Sequence, residues 1–148
     1  MKKKIVLASG TFDLLHLGHV KYLEEAKKAG GENAKLIVIV ARDSTVKKIK
    51  GKAPVMPEDQ RRSLVEALKV VDEAVLGYEE LDISKVIEKI KPDIIAIGHD
   101  QGNTIERNVR KVVEEKGLAV QITKIGKFGK DELNSSSKIK RKIIEAWK

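Results

Sequence analysis

Residues 5–19 read IVLASGTFDLLHLGH, and they combine the main structural and chemical signals of the chain. A short apolar run rich in β-branched residues comes first, a Gly-Thr turn follows it, and a His-x-Gly-His pattern stands where a helical pattern begins. Runs that are apolar on both faces are typical of buried parallel strands. The stretch therefore predicts a strand that ends in a polar turn and leads into a helix.

The same alternation continues along the whole chain. After Ile5–Ala8, strands are predicted at Leu36–Val40, Ala74–Leu76, Ile94–Ile97 and Ala119–Ile122, and helices at residues 18–29, from Pro57 onward, at 83–90, at 104–116 and at 135–147. Strand–helix alternation of this kind favours one α/β domain over residues 1–148, with a doubly wound parallel sheet of about five strands and helices on both faces. Each predicted helix has an apolar face, which in the helix after Pro57 is made by Leu64, Val65 and Leu68 and in the last helix by Ile139, Ile143 and Ile144.

Composition excludes several classes of protein. The 148 residues contain no cysteine, 41% of them are hydrophobic and 35% are charged, which suits a globular domain without disulfides or a thiol nucleophile. No apolar run approaches the roughly 20 residues of a membrane helix. The apolar run after the basic N-terminus is too short for a signal peptide, so we expect a cytoplasmic protein.

The net charge of +8 is concentrated in two segments, residues 42–52 and residues 130–148. Such segments suggest an anionic partner that carries phosphate, although a solvated surface rich in lysine explains them equally well. A basic nucleic-acid-binding module is a further alternative. The aromatic content of 3% argues against it, since few rings are available to stack on bases.

His16 and His19 are three residues apart at the predicted start of the first helix, with Gly18 between them. At this spacing both imidazoles can point the same way, and a glycine lets a ligand approach the backbone closely. Backbone N–H groups at a helix N-terminus also favour anions. The pattern predicts a phosphate site, whereas the P-loop and the G-x-G-x-x-G motif are absent. A metal site at Asp13 and the histidines, and a triad of Ser136, His99 and Asp100, have little support in the motifs.

The motif GTFDLLHLGH at residues 10–19 resembles the signature of the H-x-G-H nucleotidyltransferases, in their cytidylyltransferase-like branch with a Rossmann-like fold. A second signature of that family is similar to Ser135-Ser136-Ser137-Lys138. Residues 41–68, 91–101 and 132–139 most resemble archaeal-type FAD synthetases, which transfer AMP from ATP to FMN. Asp131 replaces a cysteine that archaeal-type members often carry, and Lys130 replaces an arginine of the cytidylyltransferases.

The resemblance implies a catalytic role for His16 and His19, which would donate hydrogen bonds to the α- and β-phosphates of ATP. The nucleotide site that it implies comprises Thr11, Phe12, His16, Leu17, Gly18, His19, Arg61, Asp100, Phe128, Ser135, Ser136 and Ser137. One serine could instead cap the last helix.

A divalent metal ion, Mg²⁺, is the expected cofactor, and Asp13 is its candidate ligand. A helix-entry cap is an equally good interpretation of Asp13. Lys47, Lys48, Lys50 and Lys52 could close over the triphosphate as a mobile loop, and Lys48 and Lys50 are the candidates for phosphate contact.

ATP and FMN are the expected partners, with no nucleic acid or membrane among them. A homodimer is possible, because Trp147 could either anchor the last helix or form a dimer contact. The main enzymatic alternative is a cytidylyltransferase that uses CTP and glycerol 3-phosphate or a similar phosphorylated alcohol.

Overall fold

The structure, a computed structural model, describes residues 3–78, 83–98, 102–126 and 135–147. Within these ranges strands and helices alternate almost without interruption. The elements are β1 (Ile5–Gly10), α1 (Leu17–Ala29), β2 (Lys35–Val40), α2 (Asp43–Lys50), α3 (Glu58–Glu66), β3 (Glu73–Leu76), α4 (Ile83–Ile90), β4 (Ile94–Gly98), α5 (Gly102–Glu115), β5 (Gln121–Ile125) and α6 (Ser136–Ala146).

The five strands form one sheet in the order β3-β2-β1-β4-β5, and every neighbouring pair is parallel. The chain first builds outward from β1 to β3 and then resumes at β4 on the other side of β1. The strand order therefore reverses between β1 and β4. In open sheets of this kind, ligands bind beyond the carboxyl ends of the strands at such a switch point.

Side chains of β1 alternate between two hydrophobic cores. Val6 and Ala8 join Leu23 of α1 and Val65 of α3 on one face of the sheet. On the other face, Leu7 packs in a second cluster whose buried members include Ile87 of α4 and Val109 of α5. The predicted doubly wound α/β sheet with helices on both faces is thus confirmed. None of the described helices is both long enough and apolar enough to span a bilayer.

The lysine-rich segment differs from its prediction, because residues 43–50 form α2 rather than a loop. Thr45 and Val46 bury one side of this helix, and Gly51 ends it in the left-handed conformation, at φ 79°. The lysines of its last turn lie where cations interact favourably with the helix dipole. Lys48 and Lys50 are exposed on this helix, so the predicted mobile loop is wrong for residues 43–50.

The predicted apolar stripes are only partly buried. Val65 is buried in the core, but Leu64 is 39% exposed. Ile143 and Ile144 of α6 are 51% and 58% exposed, and Trp147 just beyond it is 83% exposed. The prediction that Trp147 anchors the last helix is therefore wrong. Its alternative role in a dimer contact stays a prediction. The last strand begins two residues later than expected, at Gln121.

Candidate active site

The turn between β1 and α1 has an unusual backbone. Phe12 and Leu14 have φ angles of 55° and 54°, in the left-handed region that side chains with a Cβ rarely adopt. Each such residue costs about 1–3 kcal/mol and persists only where interactions with its surroundings offset that cost. The Phe12 ring is buried in the core, and a Cβ on Gly10 would lie 2.9 Å from that ring. Packing of Phe12 over Gly10 therefore stabilises the strained turn.

Asp13 fastens this turn to two other segments. Its carboxylate accepts hydrogen bonds from the backbone N–H groups of Val55 and Met56, at 2.9 and 3.0 Å, and pairs with Lys140 of α6 at 3.1 Å. The side chain of Ser136 donates to the backbone carbonyl of Asp13. Burial raises the pKa of Asp13, but the two N–H donors and the Lys140 ammonium outweigh it and hold the pKa below its usual value. Asp13 is thus a charged group that joins three segments.

These contacts bear on both interpretations of Asp13. The N-cap of α1 is His16, so the interpretation of Asp13 as the helix-entry cap is wrong. Metal ligation by Asp13 stays a prediction, and the carboxylate already has three donors around it. Among the described residues, no group of three or more His, Asp or Glu side chains is arranged to hold a metal ion.

The imidazoles of His16 and His19 stack on each other at the start of α1. Their ring centroids are 3.8 Å apart and the ring planes differ by 26°. The backbone N–H of His16 donates to Nδ1 of His19 at 3.3 Å, which assigns the proton of a neutral His19 to Nε2. Phe12 contacts the same ring at a centroid distance of 5.3 Å. The His16 backbone N–H and the Phe12 ring therefore orient the histidine pair, and Nε2 of a neutral His19 is a hydrogen-bond donor.

Arg61 is fully buried, with 0% exposure. Its guanidinium donates to the backbone carbonyls of Thr11, Ala41 and Met56 at 2.7, 2.8 and 2.8 Å. It also pairs with Asp43 at 2.6 Å. Arg61 thus ties together the residues that follow β1 and β2 and the segment that leads into α3. Its predicted contact with the nucleotide stays a prediction, while the structure gives it a role in holding the loops.

Two helix N-termini meet beside Arg61, and each supplies an acceptor for the other. Asp43 N–H donates to the Glu58 carboxylate at 3.0 Å, and Glu58 N–H donates to the Asp43 carboxylate at 3.3 Å. Arg42 pairs with Glu58 at 3.2 Å and donates to the Gly77 carbonyl at 2.6 Å. This network was not predicted from the sequence. Its signal is an acidic residue at the first position of both helices.

The C-terminal serines lie next to the strained turn. Ser135 is the N-cap of α6 and accepts from the Lys138 N–H at 3.2 Å, which confirms the capping alternative for this serine. Ser136 contacts Asp13 as described above, and Ser137 is exposed. The structure therefore brings the two family-like signatures together at the carboxyl edge of the sheet. Their contact with a nucleotide stays a prediction.

Three further predicted site residues lie at the turn or at the start of α1, and their contact with a nucleotide stays a prediction. Leu17, the first residue of α1, is 53% exposed beside His16. Thr11 presents its carbonyl to Arg61, and Gly18 lies in the first turn of α1. Asp100 and Phe128 lie outside the described residues, as do His99, Lys130 and Asp131.

Comparisons with known proteins agree with this geometry. The cytidylyltransferase-like family matches residues 7–142. A protein named FAD synthase from Methanobrevibacter smithii is 51% identical over 97% of this chain and 91% of its own length. Another FAD synthase, from Ferroglobus placidus, is 53% identical over 97% of this chain and 89% of its own.

One solved structure is similar in both fold and sequence. It is described as the lipopolysaccharide core biosynthesis protein from Thermoplasma volcanium, and it matches with a TM-score of 0.73 and 42% identity over 86% of this chain and all of its own. The structure of Thermotoga maritima TmcAL bound with α-thio ATP matches with a TM-score of 0.62 at 12% identity, over 97% of this chain and 51% of its own, which shows the fold alone.

Proposed function

Because the chain belongs to the cytidylyltransferase-like family, we propose that it transfers the AMP moiety of ATP to FMN, which yields FAD and pyrophosphate. The chain is a nucleotidyltransferase, and its archaeal relatives named FAD synthase match it over nearly their full length. The observation that carries the proposal is the stacked pair of His16 and His19 at the N-terminus of α1. This pair follows β1, next to the switch point where ligands of such sheets bind.

The reaction needs one bond to form and one to break. A phosphate oxygen of FMN attacks the α-phosphorus of ATP, and the bond between that phosphorus and the bridging oxygen of the β-phosphate breaks. Negative charge moves onto the departing pyrophosphate. Such transfers depend on positioning and on stabilisation of the developing charge, and they need no covalent intermediate on the enzyme.

His16 and His19 supply that stabilisation in the proposed mechanism. His19 Nε2–H donates to an oxygen of the reacting phosphates, because its Nδ1 already accepts from the His16 backbone. Backbone N–H groups in the first turn of α1 add partial positive charge at the same place. The donors are held in place before the reaction, which lowers the barrier more than donors that must first reorganise.

The turn and the last helix define the surroundings of the phosphates. Thr11, Phe12, Leu17 and Gly18 shape the strand-to-helix turn, and Ser135, Ser136 and Ser137 bring a second helix N-terminus toward it. Support comes from the Ser136–Asp13 contact, which joins α6 to the turn. Arg61 acts on the site through the carbonyls that it holds, and Asp100 and Phe128 are proposed to contact the nucleoside. Lys48 and Lys50 extend the positive surface for incoming phosphates.

Reactions of this class use a divalent metal ion, and we assign Mg²⁺ that enters with ATP. The donor set of the described residues does not fit a protein-held ion well, because the Asp13 carboxylate faces two N–H groups and an ammonium. Mg²⁺ commonly keeps several waters and is held through substrate phosphates. No step is therefore assigned to Asp13 as a metal ligand. A cytoplasmic location, where both substrates are available, belongs to the same proposal.

The test is product formation with defined substrates. Purified protein with ATP, Mg²⁺ and FMN should yield FAD and pyrophosphate in equal amounts on chromatography. Riboflavin in place of FMN should yield no product, since it has no phosphate to act as nucleophile. Reaction of CTP with glycerol 3-phosphate, without reaction of FMN, would overturn the proposed acceptor and nucleotide.

A further inference from the structure

The hydroxyl of Tyr22 bridges β1 and β4 at the switch point of the sheet. Among the described residues, the register between these strands covers two pairs, Val6 with Ile94 and Leu7 with Ile95. The register between β1 and β2, by contrast, extends over six pairs up to Gly10. Beyond Leu7 the Tyr22 hydroxyl donates to the Ala96 carbonyl at 2.8 Å and accepts from the Ser9 N–H at 3.4 Å. The phenol thus connects two strands that diverge toward their carboxyl ends.

Tyr22 belongs to the same helix as the histidine pair. It follows His19 by three residues on α1, and residues at this spacing lie on one face of a helix. The ring packs against the core that contains Phe12 and Leu23. About one turn of α1 therefore separates Tyr22, whose hydroxyl is bonded to the strands, from His19. Because the helix is rigid over one turn, these hydrogen bonds fix the distance of His19 from the sheet.

We propose that Tyr22 is a positioning residue for the reaction: its hydroxyl sets the opening between β1 and β4 and thereby the place of the His19 imidazole. Other contacts of α1 with the sheet include the apolar ones of Leu23 and Ala26, and apolar contacts tolerate sliding better than a hydrogen bond does. A directional contact at this point therefore fixes the position of His19, the residue that donates a hydrogen bond to phosphate. The inference rests on the proposed transfer for its kinetic test but not for its structural one.

The test replaces Tyr22 by phenylalanine, which keeps the packed ring and removes the bridge. A misplaced catalytic group can slow a reaction by up to about 100-fold, so we expect kcat of Tyr22→Phe to fall roughly tenfold. The KM for ATP should change less than threefold. Imidazole signals of His19 in a ¹H–¹⁵N spectrum should shift, because the ring moves relative to the sheet.

Two control variants separate positioning from stability. Val71 is a buried core residue just before β3, at the amino ends of the strands and away from the histidine pair. Val71→Ala should lower the melting temperature without changing kcat or the His19 signals. Tyr78→Phe removes the hydroxyl of an exposed tyrosine and should change nothing. The proposal is overturned if Tyr22→Phe keeps the normal kcat and the normal His19 signals, or if Val71→Ala reproduces its effects. Failure of the unaltered protein to form FAD would instead overturn the proposed function, and the His19 signals would still decide the role of Tyr22.

Discussion

The amino ends and the carboxyl ends of the five parallel strands form two edges of the sheet, and charged side chains serve different purposes at the two edges. At the amino edge, Asp93 accepts from the Ile5 N–H at 2.8 Å and Asp72 accepts from the Leu36 N–H at 2.7 Å. Each carboxylate accepts from a backbone N–H near the start of a neighbouring strand. At the carboxyl edge, Asp13 and Arg61 instead hold loops together across more than 40 residues of sequence.

The charged side chains are also more deeply buried at the carboxyl edge than at the amino edge. The Lys27–Asp72 pair has a distance of 3.1 Å, and its side chains are 26% and 39% exposed. Arg61 at the carboxyl edge is fully buried, and the side chain of Asp13 is 5% exposed. A surface pair contributes little to stability, whereas breaking a buried one leaves polar groups without partners. We infer that the amino edge tolerates substitution, while the carboxyl edge works as one interdependent unit.

The largest expected effect is the loss of Arg61. Arg61→Met removes donors to three carbonyls and to Asp43, and at about 1 kcal/mol for each hydrogen bond we expect the free energy of unfolding to fall by about 2–4 kcal/mol. Denaturant unfolding measures it. Arg62→Met is the matched control, because Arg62 stands on the same helix and pairs with Glu66 at the surface. Equal losses for the two variants would contradict the interdependence of the carboxyl edge.

A smaller effect is expected at Ser136. Ser136→Ala removes the contact that joins α6 to the backbone of Asp13. The start of α6 is then no longer held in place against the turn after β1. A hydrogen bond between neutral groups contributes about 0.5–1.5 kcal/mol, and we expect kcat/KM for ATP to fall by up to about tenfold while the fold persists. Steady-state kinetics and circular dichroism measure the two quantities. Ser137→Ala, at an exposed neighbour, should be nearly normal. A lower melting temperature with normal kinetics would show that Ser136 only docks the helix.

The smallest effect is expected at the amino edge. Burial raises the pKa of Asp72, but the Leu36 N–H and the Lys27 ammonium outweigh it, so the pKa is lowered. The charged form therefore contributes stability above about pH 4, and this contribution is lost as the pH falls through the lowered pKa. Asp72→Asn should lower the free energy of unfolding by about 0.5–1.5 kcal/mol at pH 7 and leave kcat unchanged. The difference from the unaltered protein should shrink at pH 3. A loss of activity would show that the two edges are coupled.

The fold was predictable because its signals are local. The apolar runs and helical patterns predicted the five strands and five of the six described helices, since burial on both faces leaves a clear pattern in β2 and β4. The missed helix, α2, carries four charged residues and only two buried ones, so its pattern resembles a solvated surface. The exposure of Ile143 and Ile144 could not be predicted either, because periodicity shows an apolar face but not whether anything covers it.

The site was predictable to the extent that its groups are close in sequence. His16, His19 and the turn before them belong to one stretch of ten residues, and their stacked arrangement agrees with the predicted common direction. Arg61, Asp43 and Glu58 meet only in the folded chain. Their hydrogen bonds depend on the angle between α2 and α3, which no local pattern encodes. The bridge from Tyr22 to Ala96 joins residues 74 positions apart and was invisible for the same reason.

In the proposed mechanism, His19 acts on the reacting phosphates at the carboxyl ends of the strands. The most direct measurement is the turnover of ATP and FMN by His19→Ala, together with ATP binding by titration calorimetry. Loss of one donor to a transition state lowers kcat by about 10²–10³-fold, and we expect this loss with ATP affinity changed much less. A near-normal kcat for His19→Ala in a folded protein would show that His19 does not act on the reacting phosphates.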